Sequence, residues 1–326
     1  VQMGHAAYFA ALLNEQETAV TGPKQQAALQ LIGRELDNIR TAWTTAVNAG
    51  LITYLEQLIN PLYHFFRKQG HPREGFRQFG QAADALRDSG PPDLLARLLI
   101  CQGRLGEHIS HDFAVSERLL WEGLALAERE QLVVEQALAL DGLGLLALMR
   151  GDLAQAASYL NDSLALSREA AAAWMEAGTL VLAAWVRSGE GEWEEAKAAC
   201  RQAIAIHRQA GNESGVASAL TALGQVYIGL GQYREAEKVY AEAFSLCRQN
   251  NHRIGEGQAL TGLFTACYQI GELAQAARYA QESLAVNRDV GDRLGMAIAY
   301  HNLGFLAASN GRYRDAAAHY HQPLAI

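Results

Sequence analysis

The side chains that could do chemistry in this 326-residue chain are scattered, and their spacing decides what each could do. His108 and His111 stand three apart, with Asp112 beside the second. Two imidazoles at that spacing are the start of a zinc site. Zinc needs three or four ligands, however, and this stretch reads as a helix end and the turn after it. His319 and His321 fall on different faces of one helix. Glu192, Glu194 and Glu195 offer an acid and a base, but they open a helix, where carboxylates are favoured by the macrodipole. Cys101, Cys200, Cys247 and Cys267 form no C-x-x-C pair and sit in apolar helical patterns. They read as small buried hydrophobes of a reducing, cytoplasmic compartment. No phosphate loop G-x-x-x-x-G-K-[ST] and no nucleophile elbow occurs. The expectation is a non-catalytic chain with no metal and no cofactor of its own.

What the residues do carry is a period. Gly151-Asp152-Leu153-Ala154-Gln155-Ala156 returns as Gly191 to Ala196, Gly231 to Ala236, Gly271 to Ala276 and Gly311 to Ala316, at forty-residue intervals. Ahead of each glycine runs an apolar stripe at helical spacing, such as Ala217, Leu220, Leu223, Gly224 and Tyr227. A glycine at the end of such a helix can take the left-handed conformation without a Cβ penalty. The alanine one turn into the next helix permits close approach, and Gly144, Gly224 and Gly304 face that contact. A second set of turns, Gly211-Asn212, Asn251-His252 and Gly291-Asp292, separates one hairpin from the next. Arg168, Arg208, Arg248 and Arg288 close the second helices, where cations are favoured.

The pattern Leu220, Leu223, Gly224, Tyr227, Gly231, Ala236, Tyr240, Ala243 resembles the tetratricopeptide repeat, a helix–turn–helix unit. The forty-residue period is longer than the usual 34, and the closing proline is absent. The extra length is similar to repeats of kinesin light chains and bacterial signalling ATPases. The resemblance implies an all-α fold, a right-handed α-α superhelix of six to seven hairpins, near 51–90, 94–130, 134–170, 174–210, 214–250, 254–290 and 294–326. His71 falls on the glycine grid of the first, degenerate hairpin, and Gly70 beside it makes the turn.

Residues 1–50 do not fit the repeat and are read as a helical adaptor. "GHAAYFAALLNEQETAV" reads as one helix, broken by Gly22-Pro23. A second helix then runs to about Ala49. In it Glu35, Asp37, Asn38, Ile39, Arg40, Ala42 and Trp43 resemble a stretch of STAND-class signalling ATPases, between the nucleotide-binding module and a tetratricopeptide sensor; Tyr8-Phe9 and "TGPKQQ" look similar to that context. The resemblance implies the sensor region of a signalling ATPase or maltose-activator-like transcriptional regulator, with ATP bound only upstream. The alternative is a static scaffold or cargo adaptor that binds protein segments. Val1 is not a methionine, and the chain is read as a piece of a longer protein.

Composition agrees with a helical array. Half the residues are hydrophobic, only six are proline, and the net charge is −8. An acidic balance without a Lys/Arg run argues against nucleic acid, and no apolar run is long enough for a membrane span. In such arrays, by resemblance, the first helices line the concave side. The candidate groove set there is Asp141, Trp185, Ser218, Thr221, Gln225, Gln258, Thr261, Thr265, His301 and Phe305, with Leu138, Leu145 and Cys101 toward the N-terminal side. Lysine and arginine are missing from it. The expected partner is therefore a protein or peptide, or a small neutral polar effector.

Overall fold

The structure, a computed structural model, describes residues 2–107, 109 and 113–322. Every regular element among the described residues is helical. The chain divides into two compact units, 1–186 with 210–212, and 187–209 with 213–326. The first contains α1 (Gln2–Asn14), a 3-10 turn (Ala19–Thr21), α2 (Gln25–Arg34), α3 (Leu36–Asn48), α4 (Ile52–Lys68), α5 (Pro72–Leu86), α6 (Pro92–Gly106), α7 (Ala114–Arg129), α8 (Val133–Arg150), α9 (Leu153–Glu169) and most of α10 (Ala173–Gly189). The second contains α11 (Trp193–Gln209), α12 (Glu213–Gly229), α13 (Tyr233–Gln249), α14 (Arg253–Ile270), α15 (Leu273–Val290), α16 (Arg293–Ser309) and α17 (Tyr313–His321).

Helix length is set by where the backbone turns left-handed. Gly151, Gly191, Gly231, Gly271 and Gly311 have φ of 80, 82, 70, 92 and 73°. The turns between hairpins use the same conformation: Gln131, Ala171, Gly211, Asn251 and Gly291 have φ of 57, 51, 63, 51 and 69°. In each kind of turn the following amide reaches back to the helix, Gln232 N–H to the Tyr227 carbonyl at 2.9 Å and His252 N–H to Cys247 at 2.8 Å, closing otherwise orphaned carbonyls. The backbone thus repeats every twenty residues although the sequence repeats every forty.

An L-residue with a Cβ spends roughly 1–2 kcal/mol in this conformation, and alanine has no side-chain hydrogen bond to offset it. Ala171→Gly should therefore stabilise the chain by about 0.5–1 kcal/mol, after allowing for glycine's freedom in the unfolded state. Gly231→Ala should destabilise by a similar amount, although nothing crowds the site. Urea midpoints should move in opposite directions at constant m; movement in the same direction would sink the account.

Within a hairpin the packing differs in one detail from the sequence reading. Ala156, Ala196, Ala236 and Ala276 are fully buried, as a close helix contact requires. The glycine of the first helix, however, lies nearest to a larger residue than that alanine. A Cβ on Gly224 would stand 2.5 Å from the Tyr240 ring, one on Gly144 2.7 Å from Leu160, and one on Gly304 2.6 Å from Tyr320. The glycine makes room for the large residue one turn beyond the alanine.

The grid also slips by one residue near the N-terminal end. Gly103 in α6 faces Leu120 and the Ser116 carbonyl as Gly144 faces Leu160 and the Ala156 carbonyl. Gly103 therefore stands forty-one positions before Gly144, while Ser116 and Leu120 stand forty before Ala156 and Leu160. The same slip makes Gly70, with φ of 78°, the turn residue rather than His71.

The first fifty residues share one core with α4. Phe9, Leu13, Ile32, Ile39, Trp43 and Leu55 belong to a single buried cluster, and α1 packs on α3 and α4. Two expectations fail there. The first helix stops at Asn14, and the 3-10 turn that follows buries Val20 in the same cluster. The second helix breaks at Glu35, because a carboxylate occupies the position that would continue the buried stripe of Ala28, Leu29 and Ile32. The stretch that resembles STAND proteins has visible packing roles. Asn38 donates to Glu35 at 2.8 Å, Ile39, Ala42 and Trp43 are buried, and Arg40 grips Glu74 of α5 through Nε and Nη2 at 2.5 and 2.6 Å. That fork holds the Glu74 carboxyl below its usual range.

Candidate functional site

In the second unit α14 packs between α12 and α16, so three first helices offer neighbouring rows. Ser218, Gln225 and Gln258 are exposed and Thr221, Thr261 and Thr265 half-buried; His301 and Phe305 continue the set on α16, exposed. The threonine hydroxyls donate to their own helix: Thr221 to the Ala217 carbonyl at 2.9 Å, Thr261 to Gly257 at 3.1 Å and Thr265 to Thr261 at 3.1 Å. Their protons are committed, so what they offer a ligand is acceptor capacity, while the glutamines offer donors and acceptors.

The row ends in aromatic rings. Phe264 stacks on Tyr268 at 6.0 Å, Tyr268 meets Phe305 at 5.0 Å, Phe305 stacks on His301 at 6.4 Å, and His301 meets Tyr320 at 5.7 Å. Phe305 keeps 42% of its surface exposed and Tyr320 39%. The eight groove candidates of α12, α14 and α16 thus lie on three neighbouring first helices, with a flat apolar end at His301 and Phe305. Trp185 is half-exposed on α10, in the first unit.

Asp141 does not belong on such a surface. It is 6% exposed and clamped from two sides, by Arg104 Nη2 at 2.8 Å and by the Thr179 hydroxyl at 2.8 Å. Thr179 also lies 3.3 Å from Ser163 Oγ, which donates to the Ala137 carbonyl. A buried carboxylate needs such partners, and the forty-residue grid could not show that Arg104 supplies one. The one-residue slip places Arg104 in the row of Leu145, Gln225, Thr265 and Phe305. The row is thus not free of arginine, as the unslipped grid implied. Arg104 is 1% exposed and also meets Glu107 Oε1 at 3.2 Å. Gly142 leaves the room, since a Cβ there would stand 2.7 Å from Arg104 and 2.8 Å from Glu107. The signal that could have found this cluster is Arg104, the second of two arginines inside the apolar run "LLARLLICQGRLG"; the first, Arg97, pairs with Glu135 at 2.9 Å.

His108, His111 and Asp112 lie outside the described residues. All four cysteines are buried free thiols. Burial pushes Cys200 to about 12 and Cys247 and Cys267 to about 11, and Cys101 further, so they are protonated and poorly nucleophilic. The arginines that close second helices are engaged within the chain: Arg168 with Glu176 at 2.8 Å, Arg208 with Glu242 at 2.7 Å, Arg288 with the Tyr300 hydroxyl at 3.1 Å, and Arg248 over the Phe244 ring. Among the described residues, Glu237, Cys267 and Glu272 bring potential metal-ligating atoms within 4.8 Å. The Arg234 guanidinium already bridges both carboxylates, at 3.1 and 2.7 Å. No helix of the described residues is long and apolar enough to cross a membrane.

Comparisons with known proteins bear on this geometry. A family model described as tetratricopeptide repeat matches residues 176–249. No curated protein matches the sequence. Among solved structures, a Rap protein complexed with competence and sporulation factor superposes with a TM-score of 0.68 at 12% identity, over 98% of this chain and 97% of that one. A signal-transduction ATPase with numerous domains and a tetratricopeptide repeat sensor, from Pyrococcus horikoshii, gives 0.63 at 15% identity. That match covers 94% of this chain and 48% of the archaeal protein, so this chain spans about half its length. Aspartyl phosphate phosphatase F from Bacillus subtilis gives 0.56 at 11% identity, over 87% and 91%. At these identities the likeness is one of fold: an all-α, tetratricopeptide-like array of contiguous helical hairpins.

Proposed function

We propose that this chain is a non-catalytic, partner-binding array, and that the polar strip on α12, α14 and α16 receives an extended peptide segment. The observation that carries the reading is the strip itself. Committed hydroxyls and glutamine amides on consecutive helices present acceptors and donors suited to a peptide backbone, and the exposed Phe305–His301 stack supplies a flat apolar end. Sites of this kind combine a few placed polar groups with aromatic walls. The strip's eight residues carry no formal charge with histidine neutral, which favours a backbone or neutral polar segment over a charged tail.

The finer reading places this array as the sensor of a STAND-type ATPase or transcriptional regulator. The "ELDNIR" stretch and the fold likeness to the Pyrococcus sensor protein support it. It requires a P-loop module in the same polypeptide, ahead of residue 1; a coding sequence without one would remove the ATPase and leave a scaffold.

A displayed library of ten-residue peptides, selected against the whole chain, tests the strip. Selected peptides should bind with micromolar dissociation constants. Gln258→Ala and Phe305→Ala should each weaken them by roughly tenfold, about 1.4 kcal/mol. Peptides whose affinity survives both substitutions would move the site elsewhere.

A further inference from the structure

The interior of the first unit holds a set of polar atoms that the chain leaves without partners. They are Tyr63 Oη, both ring nitrogens of His64, Arg104 Nε and Glu107 Oε2. All four residues are nearly or wholly buried, none more than 4% exposed. Two come from α4, Arg104 comes from the end of α6 and Glu107 follows it, and α4 and α6 pack on each other. The Tyr63 hydroxyl lies close to the Arg104 guanidinium and helps to hold its pKa above the usual value. The Trp174 indole, from α10, meets the His64 ring edge-on at 5.3 Å. Buried polar groups are almost always paired, and each one left unpaired is costly. Several in one place call for an occupant.

We propose that this interior, bounded by Tyr63, His64, Arg104, Glu107 and Trp174, is a binding site for a small monocarboxylate. The site lies in the first unit and does not depend on the peptide strip of the second.

The charge census selects an anion. Arg104 is cationic, and Arg67 and Lys68 of α4 bring further positive charge near His64. Against them stand Asp141, already committed to Arg104 and Thr179, and Glu107, whose carboxyl burial holds above its usual range. His64 is kept neutral by burial and by Lys68 and Arg67, so its ring offers one N–H and one acceptor. A carboxylate has two coplanar acceptor oxygens for the Arg104 Nε–H and the Tyr63 O–H. A protonated Glu107 could donate to the same group. A dianion would face both Glu107 and Asp141, which makes one negative charge the better match. The Trp174 face and the tyrosine ring provide apolar surface for the remainder of a small molecule.

Acetate, butyrate and benzoate, each titrated against the whole chain, make a direct test, with acetamide, butyramide, benzamide and matched sodium chloride as controls. At least one carboxylate should raise the melting temperature saturably and change Trp174-dependent fluorescence, and the amides and chloride should not. Tyr63→Phe removes only the hydroxyl, and His64→Phe keeps a ring against Trp174. Each should retain the ligand-free fold by circular dichroism and weaken the carboxylate at least tenfold. No saturable response to any carboxylate would mean that ordered water fills the interior and would overturn the proposal. So would a response equal for acid and amide, or one unchanged in both variants.

Discussion

Tyr240→Ala is expected to destabilise the second unit by about 3–5 kcal/mol, the range for deleting a buried aromatic ring. Tyr240 is 2% exposed, and glycines from two different helices are shaped around it. A Cβ on Gly224 of α12 would stand 2.5 Å from the ring, and one on Gly262 of α14 would stand closer still. The ring is therefore the filler between one hairpin and the next. Its hydroxyl reaches only to Gln225 Oε1, at 3.5 Å, so Tyr240→Phe should cost little. Gly262→Ala attacks the same contact and should cost roughly 1–3 kcal/mol by overpacking, because the buried ring is closely approached by two helices. Urea unfolding of the three variants checks the ranking. A Gly262→Ala protein as stable as the parent would show that the ring can yield and that the glycines are not there for it.

The second large effect is electrostatic. Arg104→Met should destabilise the first unit by about 3–5 kcal/mol, because it leaves Asp141 and Glu107 buried without their cation. Stability against pH gives an independent reading. Burial raises Glu107 from an ordinary 4.5 to about 7 despite Arg104. The folded chain then holds a proton that the unfolded chain has released, so stability falls as pH rises from about 4.5 to 7. His64 works oppositely. Burial, Lys68 and Arg67 bring it from 6.5 to about 3, so the unfolded chain holds the extra proton and stability rises across that interval. Between about 4.5 and 6.5 the two slopes oppose each other. Glu107→Gln should leave only the rise, and His64→Phe only the fall. Urea midpoints between pH 3 and 8 would show it, and parallel profiles for the two variants would contradict both assignments.

The period of the array is legible because it rests on residues with few substitutes: a glycine where φ is positive and an alanine where helices touch. The same reasoning misses Gln131 and Ala171, since neither residue type announces a left-handed turn; only their place on the twenty-residue grid does. Sequence spacing puts Gly224 on the helix contact but does not show that its nearest neighbour there is Tyr240, because helical spacing gives a face and not the partner's depth along it. Asp141 is misplaced for a different reason. One extra residue between Gly103 and Ser116 shifts α6 against the grid, and a charge in an apolar row has no meaning until its counter-ion is known. The N-terminal helices show their composition but not their breaks, which depend on what lies across the core from Glu35 and Asn14.

Because turns within and between hairpins share one backbone conformation, the chain keeps two separate clocks. The main chain advances in steps of twenty residues and the side-chain program in steps of forty. Inserting or losing twenty residues would leave the peptide geometry at the junction unstrained. It would also bring a helix written for one side of the array to the other, with its glycine row facing another glycine row and its large residues meeting each other. Length change in such a chain is therefore quantised at two helices by side-chain parity alone, with no help from the backbone.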